Sequence, residues 1–224
     1  MTIHPPGLGV IAGRTFDAVL FDLDGTLIDS TATVERSWRR WAVEHGLPIE
    51  DFVVTHGVPA RQVLAGLVPP AEVDGAFARI EAIEIEDIGD IVVLPGAAAA
   101  LQAIPAERAA IATSGSTPLA RGRIEATGLR APAVVITAND VAVGKPHPDP
   151  YLLAARRLGV DPARCVVVED APAGLEAARA AGCATISVTT THTPDEVPAD
   201  AVLDSLADVV FVPVPGGVRI EPAP

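Results

Sequence analysis

Asp22 and Asp24 stand two residues apart, directly after the apolar segment 18–21 and before a Gly-Thr turn. Side chains alternate along a β-strand, so residues i and i+2 share one side and both carboxylates can converge where the strand ends. Two neighbouring anions in apolar surroundings are costly unless a cation, a proton or hydrogen bonds compensate them. A hard divalent cation such as Mg2+, which prefers oxygen ligands, is the expected compensation. Asp and Gly are also ordinary turn residues, so this segment alone leaves a purely structural role open.

The elements that must position these carboxylates alternate between strands and helices. Six short segments are continuously apolar, as expected of strands buried on both faces, and three helical segments between them are each followed by a glycine. The predicted strands are 18–21, 109–113, 133–136, 165–169, 184–188 and 201–203, and the predicted helices are 117–127, 150–158 and 173–181. This alternation predicts an α/β fold with a doubly wound, Rossmann-like parallel sheet as its core.

The stretch 31–93 interrupts the alternation. It contains no strong strand, and helical segments can be recognised at 31–45, 60–67 and 71–85. Because the stretch begins just after the aspartate pair, we interpret it as an inserted α-helical cap domain that overhangs the two carboxylates. The predicted organisation is a core at 14–30 and 94–212, a cap at 31–93, and loosely ordered or edge-decorating Pro/Gly-rich tails at 1–13 and 213–224.

The residues that follow the other predicted strands also carry chemistry. Parallel sheets bind ligands beyond the carboxyl ends of their strands. Ser114 and Gly115 open a helix, where backbone N–H groups can meet an anion. Lys145, in a chain with few lysines, lies between a glycine and a proline, and Glu169 and Asp170 follow the next strand. Each group alone also fits a structural role, as a helix cap or a surface charge, but only a functional site predicts all of them at one edge.

The composition limits the partners of this chain. With 49% hydrophobic residues among 224, it has enough apolar side chains for a sizeable core. A formal net charge of −13 argues against nucleic acids and anionic membranes as binding partners. A small anionic molecule can still bind where a metal ion or a few basic side chains make the site locally positive. Cys165 and Cys183 lack metal-ligand spacing and read as buried free thiols. No segment resembles a secretory signal or a membrane span, so we expect a cytoplasmic protein.

Taken in order, these motifs resemble the four motifs of the haloacid dehalogenase-like superfamily of phosphohydrolases. The residues that carry the resemblance are Asp22-Leu23-Asp24-Gly25-Thr26, Ser114, Lys145 and Glu169-Asp170. The resemblance covers nearly the whole chain, including the helical cap after the first motif. The longer phrases at 112–115, 136–141, 144–151 and 168–174 are similar, more narrowly, to the yeast-type glycerol-3-phosphatase and 2-deoxyglucose-6-phosphatase branch.

The resemblance implies a phosphatase that forms an aspartyl phosphate. Asp22 would be the nucleophile, and Asp24 would protonate the leaving alcohol and then activate the hydrolytic water. Mg2+ would be held by Asp22, the backbone carbonyl of Asp24 and Asp170. Glu169 would be a further ligand of the metal or a partner of its ligands. The implied substrate is a small phosphorylated polyol or sugar, of the glycerol 3-phosphate or hexose 6-phosphate type.

The phosphate-binding residues implied by the resemblance are Ser114, Gly115 and Lys145. The cap would supply specificity, and its candidates for contacting substrate hydroxyls are Glu35, Trp38, His56, Gly57 and Arg61. The branch tends to carry an arginine two residues after the His-Gly pair, where this chain has Pro59. Arg61 is a candidate substitute for that arginine.

Other functions remain open from the sequence. Sugar-phosphate mutases of the β-phosphoglucomutase type carry a cap histidine shortly after the first motif, and the corresponding position here looks like Val34, which makes this alternative less favoured. A dehalogenase lacks the second aspartate, so Asp24 argues against that activity. A non-catalytic sugar-phosphate-binding module would be indifferent to replacement of Asp22 by Asn. The sequence leaves the oligomeric state, monomer or dimer, undetermined.

Overall fold

A six-stranded parallel sheet forms the centre of the molecule, for which a computed structural model describes residues 7–48 and 57–224. The strands within these residues are β1 (Thr15–Phe16), β2 (Ala18–Phe21), β3 (Ile28–Asp29), β4 (Val92–Val93), β5 (Ala109–Ala112), β6 (Val134–Ile136), β7 (Cys165–Glu169), β8 (Ala184–Val188), β9 (Ala201–Leu203), β10 (Val209–Val214) and β11 (Gly217–Pro222). The central sheet has the order β6-β5-β2-β7-β8-β9, and all of its neighbouring strands are parallel.

The helices cover both faces of this sheet and form a separate group beside it. Their bounds are α1 (Thr31–Glu44), α2 (Ala60–Ala65), α3 (Val73–Glu86), α4 (Ala97–Ala103), α5 (Thr117–Thr127), α6 (Asp149–Leu158) and α7 (Pro172–Ala180). In the part of the chain that the structure describes, no helix has both the length and the apolar character needed to cross a membrane. The predicted doubly wound α/β core is confirmed, and the bounds of the six predicted strands differ from the observed ones by at most one residue.

Strand β2 lies at the point where the strand order reverses, with β5 and β6 on one side and β7, β8 and β9 on the other. Its residues are buried on both faces, since Val19 and Phe21 belong to one apolar cluster and Ala18 and Leu20 to the other. This explains why the segment is continuously apolar rather than alternating. A reversal of this kind opens a crevice beyond the carboxyl ends of the strands. The residues after β2 therefore lie where ligands bind in this class of sheet.

Helices α1, α2 and α3 pack on one another around an apolar cluster of their own. Trp38 and Trp41 of α1, Leu64 of α2, and Ile80 and Ile83 of α3 form its centre. The two connections to the core run side by side, because β3 and β4 pair antiparallel. We propose that this helical unit, 31–93 in our division of the sequence, is the cap.

The C-terminal residues 213–224, interpreted from sequence as a tail, contain strand β11. It pairs antiparallel with β10 and β1 in a three-stranded sheet, and Val218 and Ile220 are completely buried. The glycines that suggested a loose tail form the hairpin turn, where Gly216 has a φ of +87°. Within the predicted N-terminal tail, Ile11 is buried and Gly7 pairs with Val202 of β9. Among the described residues of these two segments, Leu8, Ile11, Val218 and Ile220 join the apolar core, so the segments fit the edge decorations that we expected as one possibility better than loosely ordered tails.

Candidate active site

A buried ion pair between Asp22 and Lys145 forms the centre of the crevice. Asp22 follows β2, and its backbone N–H donates to the carbonyl of Val168 at 2.9 Å, so the sheet fixes its position. Lys145 Nζ lies 2.5 Å from Asp22 Oδ1 and 2.6 Å from Glu169 Oε1. Lys145 is the only lysine in the sequence, and its side chain is completely buried. Burial alone would lower the pKa of Lys145, but the charges and hydrogen bonds of Asp22 and Glu169 outweigh burial and raise it.

Glu169, the last residue of β7, orients this lysine. Besides Lys145, its Oε1 accepts from the hydroxyl of Tyr151 at 3.0 Å. Its Oε2 accepts from the backbone N–H groups of the next two residues, at 2.9 and 3.0 Å. A Cβ at position 174 would stand 1.6 Å from Oε1, so Gly174 allows the carboxylate to lie against the first turn of α7. Four donors occupy the two oxygens, which leaves little acceptor capacity for another ligand.

Asp170 is buried beside this pair and held by two hydroxyl groups. Thr26 Oγ1 donates to its Oδ1 at 3.2 Å, and Thr191 Oγ1 donates to its Oδ2. Gly25 is required at its position, because it has a φ of +88° and a Cβ there would stand 2.2 Å from Asp170 Oδ2. Burial, followed by the nearby charge of Glu169, raises the pKa of Asp170 to about 8.

Together these groups have the composition of a divalent-cation site. Oxygen atoms of Asp22, Glu169 and Asp170 lie within 4.8 Å of one another, and Lys145 is the one cation that bonds to this trio among the described residues. Burial, reinforced by the other carboxylates and only partly offset by Lys145, raises the pKa of Asp22 well above its usual range. No hydrogen bond formed by residues 7–48 or 57–224 reaches Asp22 Oδ2. An excess of buried oxygen anions with available lone pairs fits Mg2+, which would favour their ionised forms.

Asp24 lies apart from this trio, on the wall of the crevice. Its Oδ1 accepts from Ser30 Oγ and from Arg123 Nη1, both at 2.7 Å. Its Oδ2 has one longer contact, 3.4 Å from Thr113 Oγ1. The side chain is 23% exposed, unlike that of Asp22 at 7%. The two aspartates that stand together in sequence therefore occupy different environments, one tied to a lysine and one to an arginine.

Sequence reasoning missed Arg123 and its second partner, Glu84. Arg123 lies on α5 and is 3% exposed, and its Nη2 donates to Glu84 Oε1 of α3 at 3.2 Å. A signal was present in the helical spacing. Arg123 falls four residues after the buried Leu119, and Glu84 falls four residues after the buried Ile80. A charged residue on the apolar stripe of a helix indicates a buried partner.

The burial of Glu84 predicts a pH-dependent stability. Burial raises its pKa to about 7, above the usual value of 4.5. The Glu84 carboxyl group therefore binds its proton more tightly in the folded protein than in the unfolded chain. Its contribution to the unfolding free energy is fully present below pH 4.5 and is lost as the pH rises through about 7. We expect the unfolding free energy of the wild type, minus that of Glu84→Gln, to fall by up to about 3 kcal/mol across this range.

Urea unfolding at several pH values measures this difference. Glu125→Gln, at an exposed position of α5, is the matched control and should show no such trend. A constant difference between the wild type and Glu84→Gln across the pH range would contradict the assignment.

Two of the three phosphate-binding candidates, Ser114 and Gly115, lie just before the start of α5. Ser114 Oγ donates to the backbone carbonyl of Gly57 at 2.9 Å, and the N–H of Gly115 donates to Thr113 Oγ1 at 3.0 Å. The cap of the helix is Ser116, whose hydroxyl accepts from the N–H of Leu119 at 3.4 Å. Ser114 is therefore not needed to cap α5, and an anion in the crevice can take the place of the Gly57 carbonyl as its partner.

A cavity lies between these groups and the helical unit. The core lines it with Asp22, Asp24, Ser114, Gly115 and Arg123, among others. Helices α1 and α3 line it with Val34, Trp38, Phe77, Glu81 and Glu84. The core wall thus presents the carboxylates of Asp22 and Asp24 with the guanidinium of Arg123, and the other wall presents apolar surface together with two carboxyl groups. The combination suits a ligand with an anionic end and a body that carries hydroxyl groups.

The structure brings two of the cap candidates to this cavity. Trp38 and Gly57 both line it. Val34 and Trp38 are four residues apart and share one face of α1, which explains why both reach the cavity. His56 lies outside the described residues.

Glu35 and Arg61 are not brought to the cavity. Glu35 is half-buried, and its carboxylate lies 3.9 Å from Arg39 on the same helix. Arg61 is exposed, where it pairs with Asp74 and stacks at 4.2 Å over the ring of Phe77. We therefore leave Glu35 and Arg61 out of the substrate site.

Comparisons with known proteins agree with this geometry. A family model described as haloacid dehalogenase-like hydrolase matches residues 16–182. Hexitol phosphatase A of Escherichia coli is 46% identical over 206 residues, covering 88% of this chain and 95% of that protein. Glycerol-1-phosphate phosphohydrolase 2 of Saccharomyces cerevisiae is 38% identical over 192 residues, covering 80% of this chain and 77% of that protein. CbbY from Rhodobacter sphaeroides, in complex with phosphate, matches with a TM-score of 0.72 at 27% identity, over 86% of this chain and 96% of that one.

Proposed function

This chain belongs to the haloacid dehalogenase-like hydrolases and is a phosphatase of phosphoric monoesters, and we propose that it hydrolyses the phosphate ester of a small sugar alcohol or sugar. The observation that carries this proposal is the Asp22 carboxylate, bound at 2.5 Å by the buried Lys145 at the floor of a cavity walled by Asp24. A hexitol phosphate is the first substrate to consider, because the hexitol phosphatase is 46% identical to this chain. Glycerol 3-phosphate and hexose 6-phosphates follow.

We propose that Asp22 attacks the phosphorus atom of the substrate. An Asp22 oxygen forms a bond to phosphorus as the bond between phosphorus and the ester oxygen breaks, which produces an aspartyl phosphate and the free alcohol. Lys145 lowers the repulsion between the carboxylate and the phosphoryl group. Ser114 Oγ and the backbone N–H of Gly115 exchange their present partners, the Gly57 carbonyl and Thr113 Oγ1, for the phosphoryl oxygens, which carry the charge as the group is transferred.

Asp24 moves the proton in both halves of this reaction. It protonates the departing alkoxide oxygen first, and its carboxylate then takes a proton from the water that attacks the phosphorus of the intermediate. That second attack breaks the bond to Asp22 and releases inorganic phosphate. Its position on the cavity wall, apart from Asp22 and more exposed, supports this separate role.

We propose that Mg2+ is held by Asp22, Asp170 and the backbone carbonyl of Asp24. A bound Mg2+ would neutralise negative charge on the transferring group. Glu169 supports Lys145 rather than serving as a direct ligand, because Lys145, Tyr151 and two backbone N–H groups already occupy its oxygens.

A mutase is the alternative function, and the cavity disfavours it. Val34, which looks from the sequence like the counterpart of the mutases' cap histidine, lines the cavity. An isopropyl group can neither donate nor accept the proton that such a histidine would handle. Incubation with glucose 1-phosphate and a bisphosphate activator distinguishes the two functions, because a mutase yields an isomer and a phosphatase yields free phosphate.

A phosphate-release screen tests the proposed function. With Mg2+ and the purified chain, we expect release from at least one of a hexitol phosphate, glycerol 3-phosphate, 2-deoxyglucose 6-phosphate and phosphoglycolate. The rate of phosphate release from the hydroxylated substrates should exceed that from phosphoglycolate. Glu81 and Glu84 can accept hydrogen bonds from hydroxyl groups but repel the carboxylate of phosphoglycolate. Absence of release from all of them would overturn the proposal.

Metal binding gives a further prediction that does not depend on turnover. Mg2+ added to the chelator-treated protein should raise its melting temperature, because a ligand that binds only the folded state stabilises it by about 3 kcal/mol at a hundredfold excess over Kd. Asp170→Asn should abolish this rise, and Asp195→Asn, at an exposed position, should preserve it. An unchanged rise in Asp170→Asn would contradict the metal assignment.

A further inference from the structure

Arg123 joins the helical unit to the residue proposed to move the proton. Its Nη1 donates to Asp24 Oδ1 at 2.7 Å and its Nη2 donates to Glu84 Oε1 at 3.2 Å, so one guanidinium spans the core and α3. Its side chain is 4% exposed, and its buried Nε has no partner within the described part of the chain. Burying a guanidinium in this way is costly, so a role in holding these two carboxylates is expected.

The hydrogen bonds at Asp24 are unequal between its two oxygens. Oδ1 receives two short bonds, from Arg123 and from Ser30 Oγ. Oδ2 has a single contact of 3.4 Å, with Thr113 Oγ1. An oxygen that already accepts two strong donors is a poor site for a proton, whereas the other oxygen is free to carry one. The arrangement therefore directs the transferable proton to Oδ2.

Glu84 gives Arg123 a second anchor on the other side of the cavity. It is 5% exposed and lines the cavity together with Asp24. Arg123 donates hydrogen bonds to both Asp24 and Glu84, and Glu84 lies on α3. The side-chain rotamer of Asp24 therefore depends on the position of α3. A displacement of α3 would remove one of the two anchors of the guanidinium.

We propose that Arg123 is a positioning residue, which holds Asp24 through Oδ1 so that Oδ2 faces the leaving oxygen, and which makes this orientation depend on Glu84 of the helical unit. The inference rests on the proposed phosphatase function. During transfer, the proton passes from Asp24 Oδ2 to the ester oxygen as its bond to phosphorus breaks. Arg123 makes no bond to the substrate in this step.

The dependence on the leaving group tests this role. An alkoxide needs a proton as it departs, whereas p-nitrophenolate is stable enough to leave without one. Arg123→Met should lower kcat/KM by about 10²-fold for the best alkyl phosphate of the screen, and by less than about fivefold for p-nitrophenyl phosphate. Arg123→Lys should recover part of the loss. Inhibition by inorganic phosphate should change little, because Arg123 is not assigned to the phosphate site.

Two further variants keep the test decisive. Arg121→Met removes an exposed cation from the same helix and should leave both substrates unaffected. Ser30→Ala removes the other short donor to Asp24 Oδ1 without removing a buried charge, so it should show the same selective loss even if Arg123→Met does not fold. Equal losses for the alkyl and aryl substrates in Ser30→Ala and Arg123→Lys would overturn the inference. A wild type that releases no phosphate from any substrate would instead overturn the proposed function.

Discussion

Replacement of Asp22 by Asn should lower phosphate release by about 10⁴-fold or more, the order of loss seen when a catalytic nucleophile is removed. An amide has the shape of the carboxylate but cannot form the acyl phosphate. The purified variant, assayed with Mg2+ and the best substrate of the screen, measures this loss. Asp195→Asn changes an exposed aspartate and is the matched control, whose kcat/KM should equal that of the wild type.

The same substitution should not destabilise the metal-free protein. Asp22, Glu169 and Asp170 crowd around one lysine, and burial already raises the pKa of Asp22 well above its usual range. Asn removes one buried anion, and Lys145 keeps its bond to Glu169 at 2.6 Å. We expect a melting temperature equal to that of the wild type or higher. An active Asp22→Asn protein would exclude Asp22 as the nucleophile, and an inactive protein with a much lower melting temperature would leave its loss of activity attributable to unfolding.

Replacement of Lys145 by Met should impair both stability and activity. It removes the cation from a completely buried site and leaves Asp22 and Glu169 without their shared partner. Breaking a buried ion pair from one side costs about 3–5 kcal/mol. In the proposed mechanism Lys145 also lowers the repulsion between Asp22 and the phosphoryl group, and removing such electrostatic stabilisation costs about 10²–10³-fold in kcat. Urea unfolding and steady-state kinetics measure the two effects, and Arg157→Met, at an exposed position of α6, should show neither.

A double variant separates the two roles of this lysine. Glu169→Gln added to Lys145→Met removes one uncompensated anion, so it should recover part of the lost unfolding free energy. It should not recover activity, because no cation is restored beside Asp22. Recovery of activity in the double variant would show that Lys145 acts only through the fold.

The strands of the core could be predicted from the sequence because their burial leaves a signal in each short segment. Parallel strands that are covered on both faces must be apolar throughout, so segments such as 18–21 and 165–169 can be recognised without knowing what packs on them. Once the strands are known, the residues after them must meet at one edge, which brings Asp22, Lys145 and Asp170 together. The C-terminal hairpin was missed because the prolines and glycines around its turn, Pro213, Pro215, Gly216 and Gly217, have the composition of a loop, and its pairing with β1 joins residues about two hundred positions apart.

By itself, therefore, the sequence determined the α/β class, the motifs and the residue types that surround the crevice. The tertiary structure alone decided which of these residues touch. It showed that Glu169 is occupied by Lys145, Tyr151 and backbone N–H groups, and that Arg123 links Asp24 to Glu84. These contacts join residues up to 99 positions apart along the chain. The hydrophobic periodicity of a helix or strand indicates that a side chain is buried but does not identify its partner. Periodicity reports the face on which a residue lies, and only the packing of helix against sheet selects its partner.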